Sequence, residues 1–257
     1  MSDEVGSTQG TTQNGDNIID VNIKNNFEIK VSQALADALK LLYKRKKELI
    51  RWNPEDEKNF SDVFGVEGDS VIEEEYSTPT TNPKTGKIEL GIFTEKKTAR
   101  NLMKGAVNRM IFMAEMMNEK SFKNFTDVGD YYAKVAEQQS VGLSPERYNT
   151  SLNIFIGQKF VHAPPFGQDS KACTICHELS HFVRYINDFS ISKKNEIKGN
   201  INDICSADGR CDGGGMGTLD LYGAPTPRDH AIKMRNQHSK KIFRNAYNVE
   251  LYFEDIL

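Results

Sequence analysis

The sequence predicts an α+β fold from three observations. Apolar residues recur at three- and four-residue spacing in two long stretches of the first half, a β-branched and aromatic segment follows near the middle, and a further helical stretch comes after it. With 257 residues and 38% hydrophobic content, the chain can close one sizeable core. Lys and Arg number 33 against 36 Asp and Glu, a net charge of -3. That balance lacks the positive excess of a chain built to grip phosphate backbones, so nucleic acid is not expected as a partner. The longest purely apolar run, Met110 to Ala114, is far short of the ~20 residues that span a bilayer, so no membrane span is expected.

Residues 1 to about 20 are rich in Gly, Ser, Thr, Gln and Asn and read as a flexible leader. Asp3 and Glu4 stand where a secretory signal needs positive charge, and no apolar stretch follows them. The expectation is a chain without a signal peptide, secreted or delivered by a signal-independent route, with a cytoplasmic location as the alternative. From Phe27 to Ile50, Val31, Ala34, Leu35, Ala38, Leu41 and Leu42 form the stripe of an amphipathic helix, with Lys44 to Lys47 near its end as the helix dipole favours. Pro54 and the acidic, polar stretch to about Glu75 read as a break. The run 77–87 reads as an exposed turn leading into a strand at Ile88–Phe93. A second long helix is expected over Thr98–Met117, where Leu102, Ala106, Met110, Met113 and Met117 form a core-facing stripe. A shorter one is expected between Val128 and Glu137, and 151–157 reads as a strand ended by Gly157 and followed by a loop through Pro164 and Pro165. One domain, residues 21–257, is expected after the leader.

The chemistry concentrates in His177-Glu178-Leu179-Ser180-His181, an HExxH motif with Asp169 or Ser170 available as N-cap. On a helix, residues four apart share a face, so both imidazoles can converge on one Zn²⁺, while Glu178 lies one step round and can act on a water instead. A third ligand must come from elsewhere. Asp220, in the Gly-bounded segment Gly217-Thr218-Leu219-Asp220-Leu221-Tyr222-Gly223, is one candidate; His162, Asp203, Asp208, Asp212, His230 and His238 are others, and spacing does not choose among them.

An extended stretch of this sequence resembles the aspzincin metalloendopeptidases, the family of the deuterolysins and the lysine-specific metalloendopeptidases. The resemblance runs through Asn153 to Phe160, Ala163 to Ala172 and Thr174 to Phe182, then Gly217 to Asp220 and Asn245 to Phe253. It implies a zincin-like metallopeptidase domain with N-terminal helices, a small sheet and an HExxH active-site helix. It further implies one Zn²⁺ held by His177, His181 and Asp220, Glu178 as general base, Tyr222 as transition-state donor, and a protein or peptide substrate. Two residues separate the ligand aspartate from its tyrosine in the family, whereas Leu221 alone does so here. Residues 183–216 read as an insertion bordering the cleft. In the lysine-specific members an Asp and a Glu three residues later receive the substrate's ammonium; Tyr247 replaces that Asp here and Glu250 keeps the Glu, a substrate-binding candidate.

The function expected is therefore a zinc-dependent endopeptidase, of the kind exported as an effector or toxin. A zinc hydrolase of cell-wall peptides and a non-catalytic zinc-containing binding module are the alternatives. No inhibitor or immunity protein is identifiable. Cys173, Cys176, Cys205 and Cys211 are expected as packed thiols, with disulfides or a second zinc site as alternatives, and residues 208–215, DGRCDGGG, as a flexible turn.

Overall fold

The computed structural model describes residues 18–124, 133–135, 153–188 and 210–254, and mixes helices with two small sheets. Helix α1 (Ile18–Arg51) buries the expected stripe, Val31, Ala34, Leu35, Ala38, Leu41 and Leu42. It begins before the stripe, inside what reads as leader, because no Gly or Pro interrupts the chain from Ile18 to Arg51. The rest of the leader lies outside the described residues. Among those described, no helix is long and apolar enough to cross a membrane.

The break expected after Pro54 is instead helix α2 (Pro54–Phe64), and its signals are all present in the sequence. Pro54 sits in the first turn, where its missing N–H is no loss. Asn53 Oδ1 accepts from Asp56 N at 2.9 Å while Asp56 Oδ2 accepts from Asn53 N at 3.1 Å, a capping box. Gly65 ends the helix at φ 66°, with its N–H donated to Ser61 O at 2.7 Å. Phe60 and Phe64, four apart, then face inward onto Phe243 and Tyr252.

Arg51 and the Asn53 N–H hold the Asp56 carboxyl below the usual carboxylate value of 3.8, against the opposing effect of burial. A depressed folded-state value means the stabilisation is complete above pH 3.8 and is lost as pH falls through the lower folded value. Asp56→Ala is expected to lower unfolding free energy by about 1 kcal/mol at pH 7. Denaturant titrations should show the gap to wild type closing below pH 4; a gap independent of pH would remove Asp56 ionisation from the account.

Strands β1 (Val71–Thr81) and β2 (Ile88–Thr98) form an antiparallel hairpin, so residues 77–81 are strand and the turn is confined to 82–87. Asn82 Oδ1 fixes that turn by accepting from Lys84 N and Thr85 N at 2.9 and 3.3 Å. Helix α3 (Ala99–Met116), capped by Thr98, places Leu102, Ala106, Met110 and Met113 in the core as its spacing predicts. Strands β3 (Phe122–Asn124), β4 (Ala133–Val135) and β5 (Ile154–Ile156) make a sheet of order β3-β5-β4. The helix expected at 128–137 is therefore corrected at 133–135, where pairing with β5 overrides local propensity; its remainder lies outside the described residues. Short helix α4 (Gln158–His162) opens the stretch read as loop. Helix α5 (Lys171–His181) carries the HExxH motif behind Ser170, the N-cap, whose Oγ accepts from Cys173 N at 3.2 Å.

Strands β6 (Tyr185–Asp188) and β7 (Arg210–Gly213) extend the hairpin sheet in the order β2-β1-β6-β7. The DGRCDGGG segment, expected as a turn, is thus a strand over 210–213, paired antiparallel with β6 to make a two-stranded stem. Buried charges hold this stem to the body. Arg184 reaches Glu74 at 2.8 Å and Asp212 at 2.9 Å; Arg109 of α3 reaches the same two carboxylates at 3.0 and 3.1 Å and donates to Gly215 O at 3.0 Å. Removing one member would leave an uncompensated buried charge, which is costly. Helices α6 (Pro227–Asn236) and α7 (Ala246–Phe253), joined through a 3₁₀ turn at Lys240–Arg244, complete the described chain. One core cluster joins residues of α1, α2, α3, α5 and α7.

Candidate metal centre

Helix α5 is buried from Ala172 to His181, which holds its motif side chains in place. Cys173 and Cys176 belong to that packing as free, buried thiols. Burial pushes the Cys173 thiol up to about 12 and Cys176 well above its usual value, so neither offers a thiolate to a metal. Cys205 and the side chain of Cys211 lie outside the described residues.

His177 and His181 lie with ring centroids 4.9 Å apart and nearly perpendicular. Each turns its Nε2 toward Asp220 Oδ1, at 3.0 Å from His177 and 3.4 Å from His181. The opposite nitrogens are both engaged: His177 Nδ1 meets Glu250 Oε2 at 2.9 Å, and His181 Nδ1 meets Thr218 O at 2.9 Å. Acceptors at Nδ1 fix a proton there and turn Nε2 of each ring toward Asp220, the orientation that zinc-binding imidazoles take.

Asp220 reaches this position through backbone bonds on both sides. Before it, Gly215 N and Gly217 N donate to Phe182 O, and Met216 N and Thr218 N donate to Ser180 O, so the segment satisfies carbonyls at the end of α5. Glycine at 215 permits that approach, since a Cβ there would sit 2.2 Å from Leu179 O. The Ser180 hydroxyl donates to His177 O and accepts from Thr218 Oγ1, each at 2.6 Å. Beyond it, Leu219 N donates to Arg244 O, Ala246 N donates to Leu219 O, and buried Asn245 accepts from Leu221 N at 3.3 Å. Asn245 is itself fixed by Asn248 at 2.7 Å.

Burial disfavours charge on Asp220, yet bonds to the two imidazoles outweigh it and hold the carboxyl far below the usual range. For His177, burial opposes protonation, but Asp220 and Glu250 raise its pKa well above the ordinary histidine value. That stabilised proton is what a dication at the same place would displace. Glu178 is 3% exposed, and its Oε2 has no hydrogen-bond partner among the described residues. Burial, reinforced by Asp220 and Glu250, outweighs the imidazoles and raises its pKa.

Of the other ligand candidates, Asp212 belongs to the arginine network, His230 lies against Gly223, and His238 pairs with Gly65 O. His162, on α4, does not join the group, and Asp203 and Asp208 lie outside the described residues. Tyr222 is 67% exposed, with its hydroxyl 3.4 Å from Asp220 Oδ2. Glu250 stands behind His177 as its hydrogen-bond partner, a placement that the sequence alone does not show. Tyr247, noted in the sequence only as a replacement, packs edge-on to the His177 ring at 4.9 Å.

No family model matches this sequence, and no curated protein matches it. Among solved structures the chain is similar to a zinc peptidase from Grifola frondosa, with a TM-score of 0.48 and 16% identity, covering 88% of this chain and 93% of that one.

Proposed function

We propose that this chain is a zinc-dependent endopeptidase of the aspzincin type, and that His177, His181 and Asp220 hold the ion. Two imidazole nitrogens and one carboxylate oxygen lie within 4.8 Å of one another, and no fourth His, Cys, Asp or Glu joins them among the described residues. Three protein ligands with an open position characterise catalytic zinc sites, whereas structural sites are closed by a fourth. The observation that carries the reading is Glu178 Oε2, a buried acceptor without a partner, on the same helix turn as both imidazoles. An orphaned carboxylate oxygen is costly unless something else satisfies it, and a water molecule about to lose a proton does so.

When bound, zinc supplies Lewis acidity, which polarises a peptide carbonyl and acidifies water. Glu178 Oε2 takes the proton from the attacking water and later delivers it to the leaving amine nitrogen. Glu250 and the Thr218 carbonyl keep the two imidazoles turned the right way throughout. The Tyr222 hydroxyl, at the solvent side of Asp220, swings to donate to the developing oxyanion.

Cleavage of a denatured proteome, read by mass spectrometry of new termini, should stop when the protein is stripped with a chelator and return when zinc is restored. Cleavage that survives metal removal would overturn the proposal.

A further inference from the structure

Strand β2 is the outer strand of the sheet ordered β2-β1-β6-β7, and among the described residues no strand pairs with its other side. The ladder with β1 fixes which of its backbone groups point there. Ser77 N donates to Arg184 O at 2.9 Å, beside β6, so Ser77 and its ladder partner Ile92 face away from each other. At the two ends of the same ladder, Asn82 N donates to Lys87 O and Ala99 N to Ser70 O, each at 2.8 Å, so the odd-numbered positions of β2 bond to β1. Leu90, Ile92, Thr94 and Lys96 therefore present their N–H and C=O groups to the open side. The Ile92 side chain is 77% exposed as well.

A long open edge of this kind is a template for another strand, and the sequence of β2 fits itself. In an antiparallel pair of β2 strands related by a two-fold axis at Phe93, all 11 residues from Ile88 to Thr98 overlap. Open groups then meet open groups, with Leu90 opposite the second copy's Lys96 and Ile92 opposite its Thr94. At the intervening positions Phe93 meets its own copy, and Glu89 meets Lys97 at both ends of the seam. Glu89 bonds to Asn82 at 2.9 Å but has no cation of its own among the described residues. Lys97, already 3.1 Å from Glu95, carries the alternation of charge across the seam. Sliding the partner by two residues sets Glu89 against Glu95 in one direction and takes Glu89 out of the ladder in the other. Sliding it by one turns groups already bonded to β1 toward open ones.

We infer that this chain self-associates through β2, as an antiparallel dimer with one sheet continuous across both copies and Phe93 at the two-fold axis.

The test uses the full chain in sedimentation equilibrium from micromolar to near-millimolar concentration, over which a dimer should grow in. Amide exchange read residue by residue should slow with concentration at Leu90, Ile92, Thr94 and Lys96, while Phe93 and Glu95, already bonded to β1, change little. Ile92→Pro removes an N–H that β1 does not use, so the hairpin should persist while the dimer is lost. Glu89→Lys sets lysine against lysine at both ends of the seam and should weaken association roughly tenfold. Melting curves accompany each variant; should Ile92→Pro fail to fold, Glu89→Lys, at an exposed position, decides. A chain monomeric at every concentration, or a dimer that survives both substitutions, overturns the inference. Exchange at these amides that slows only when an extended polypeptide such as casein is added also overturns it, in favour of a foreign strand.

Discussion

Glu178→Gln is expected to retain one zinc ion and to lose peptide cleavage by about 10²–10⁴-fold, the usual contribution of a positioned base. The amide keeps the volume of the side chain and a carbonyl oxygen, so the buried site is filled as before. What disappears is an oxygen able to hold a proton. The substitution also removes a buried carboxylate whose Oε2 has no partner, so thermal stability should be unchanged or higher. Metal analysis, a melting curve and a cleavage assay on one preparation separate the outcomes. Full cleavage by the variant refutes the general-base role. Lost cleavage accompanied by lost zinc or a lower melting temperature would instead make Glu178 a structural residue.

Asp220→Ala acts on a different quantity. Removing the carboxylate leaves two imidazoles with no anion between them, and zinc stoichiometry should fall from one ion per chain toward zero, taking cleavage with it. Asp220→Asn, close in shape but neutral, should sit nearer to alanine than to wild type, because the charge and not the volume holds the dication. The backbone bonds that place this residue, from Gly215 to Leu221, do not involve its side chain, so the fold should survive. Undiminished zinc in Asp220→Ala would move the third ligand elsewhere in the chain.

Helix α5 was legible because its evidence is local: two histidines four apart, a glutamate between them, and a serine at the N-terminus. Helix α3 was legible for the same reason, since a long apolar stripe needs no knowledge of its partner. Asp220 was a different case. It lies 43 residues from His177, and only likeness to a known family singled it out from other acids and histidines. Glu250, 73 residues from His177, was noticed only through family likeness, because no periodicity shows which imidazole a distant carboxylate will support. Helix α2 shows a different failure: Asn53, Pro54, Asp56, Phe60, Phe64 and Gly65 spell a capped helix, and its acidic composition drew attention away from them. The glycines at 213–215 read as flexibility, yet a Cβ would collide with the Tyr185 ring at 213, with Val183 O at 214 and with Leu179 O at 215, a demand visible only once the neighbouring segments are in place.

One consequence of the stem formed by Tyr185–Asp188 and Arg210–Gly213 concerns how such a chain changes over generations. Asp188 and Arg210 stand opposite each other in the ladder, so whatever stretch joins them starts and finishes at one fixed doorway. With the ends already brought together, lengthening that stretch costs little, only about 0.6 kcal/mol for each doubling. Gly215 is held separately, its carbonyl accepting from buried Arg109 of α3. A change of length between positions 188 and 210 therefore asks little of the backbone bonds that place Asp220.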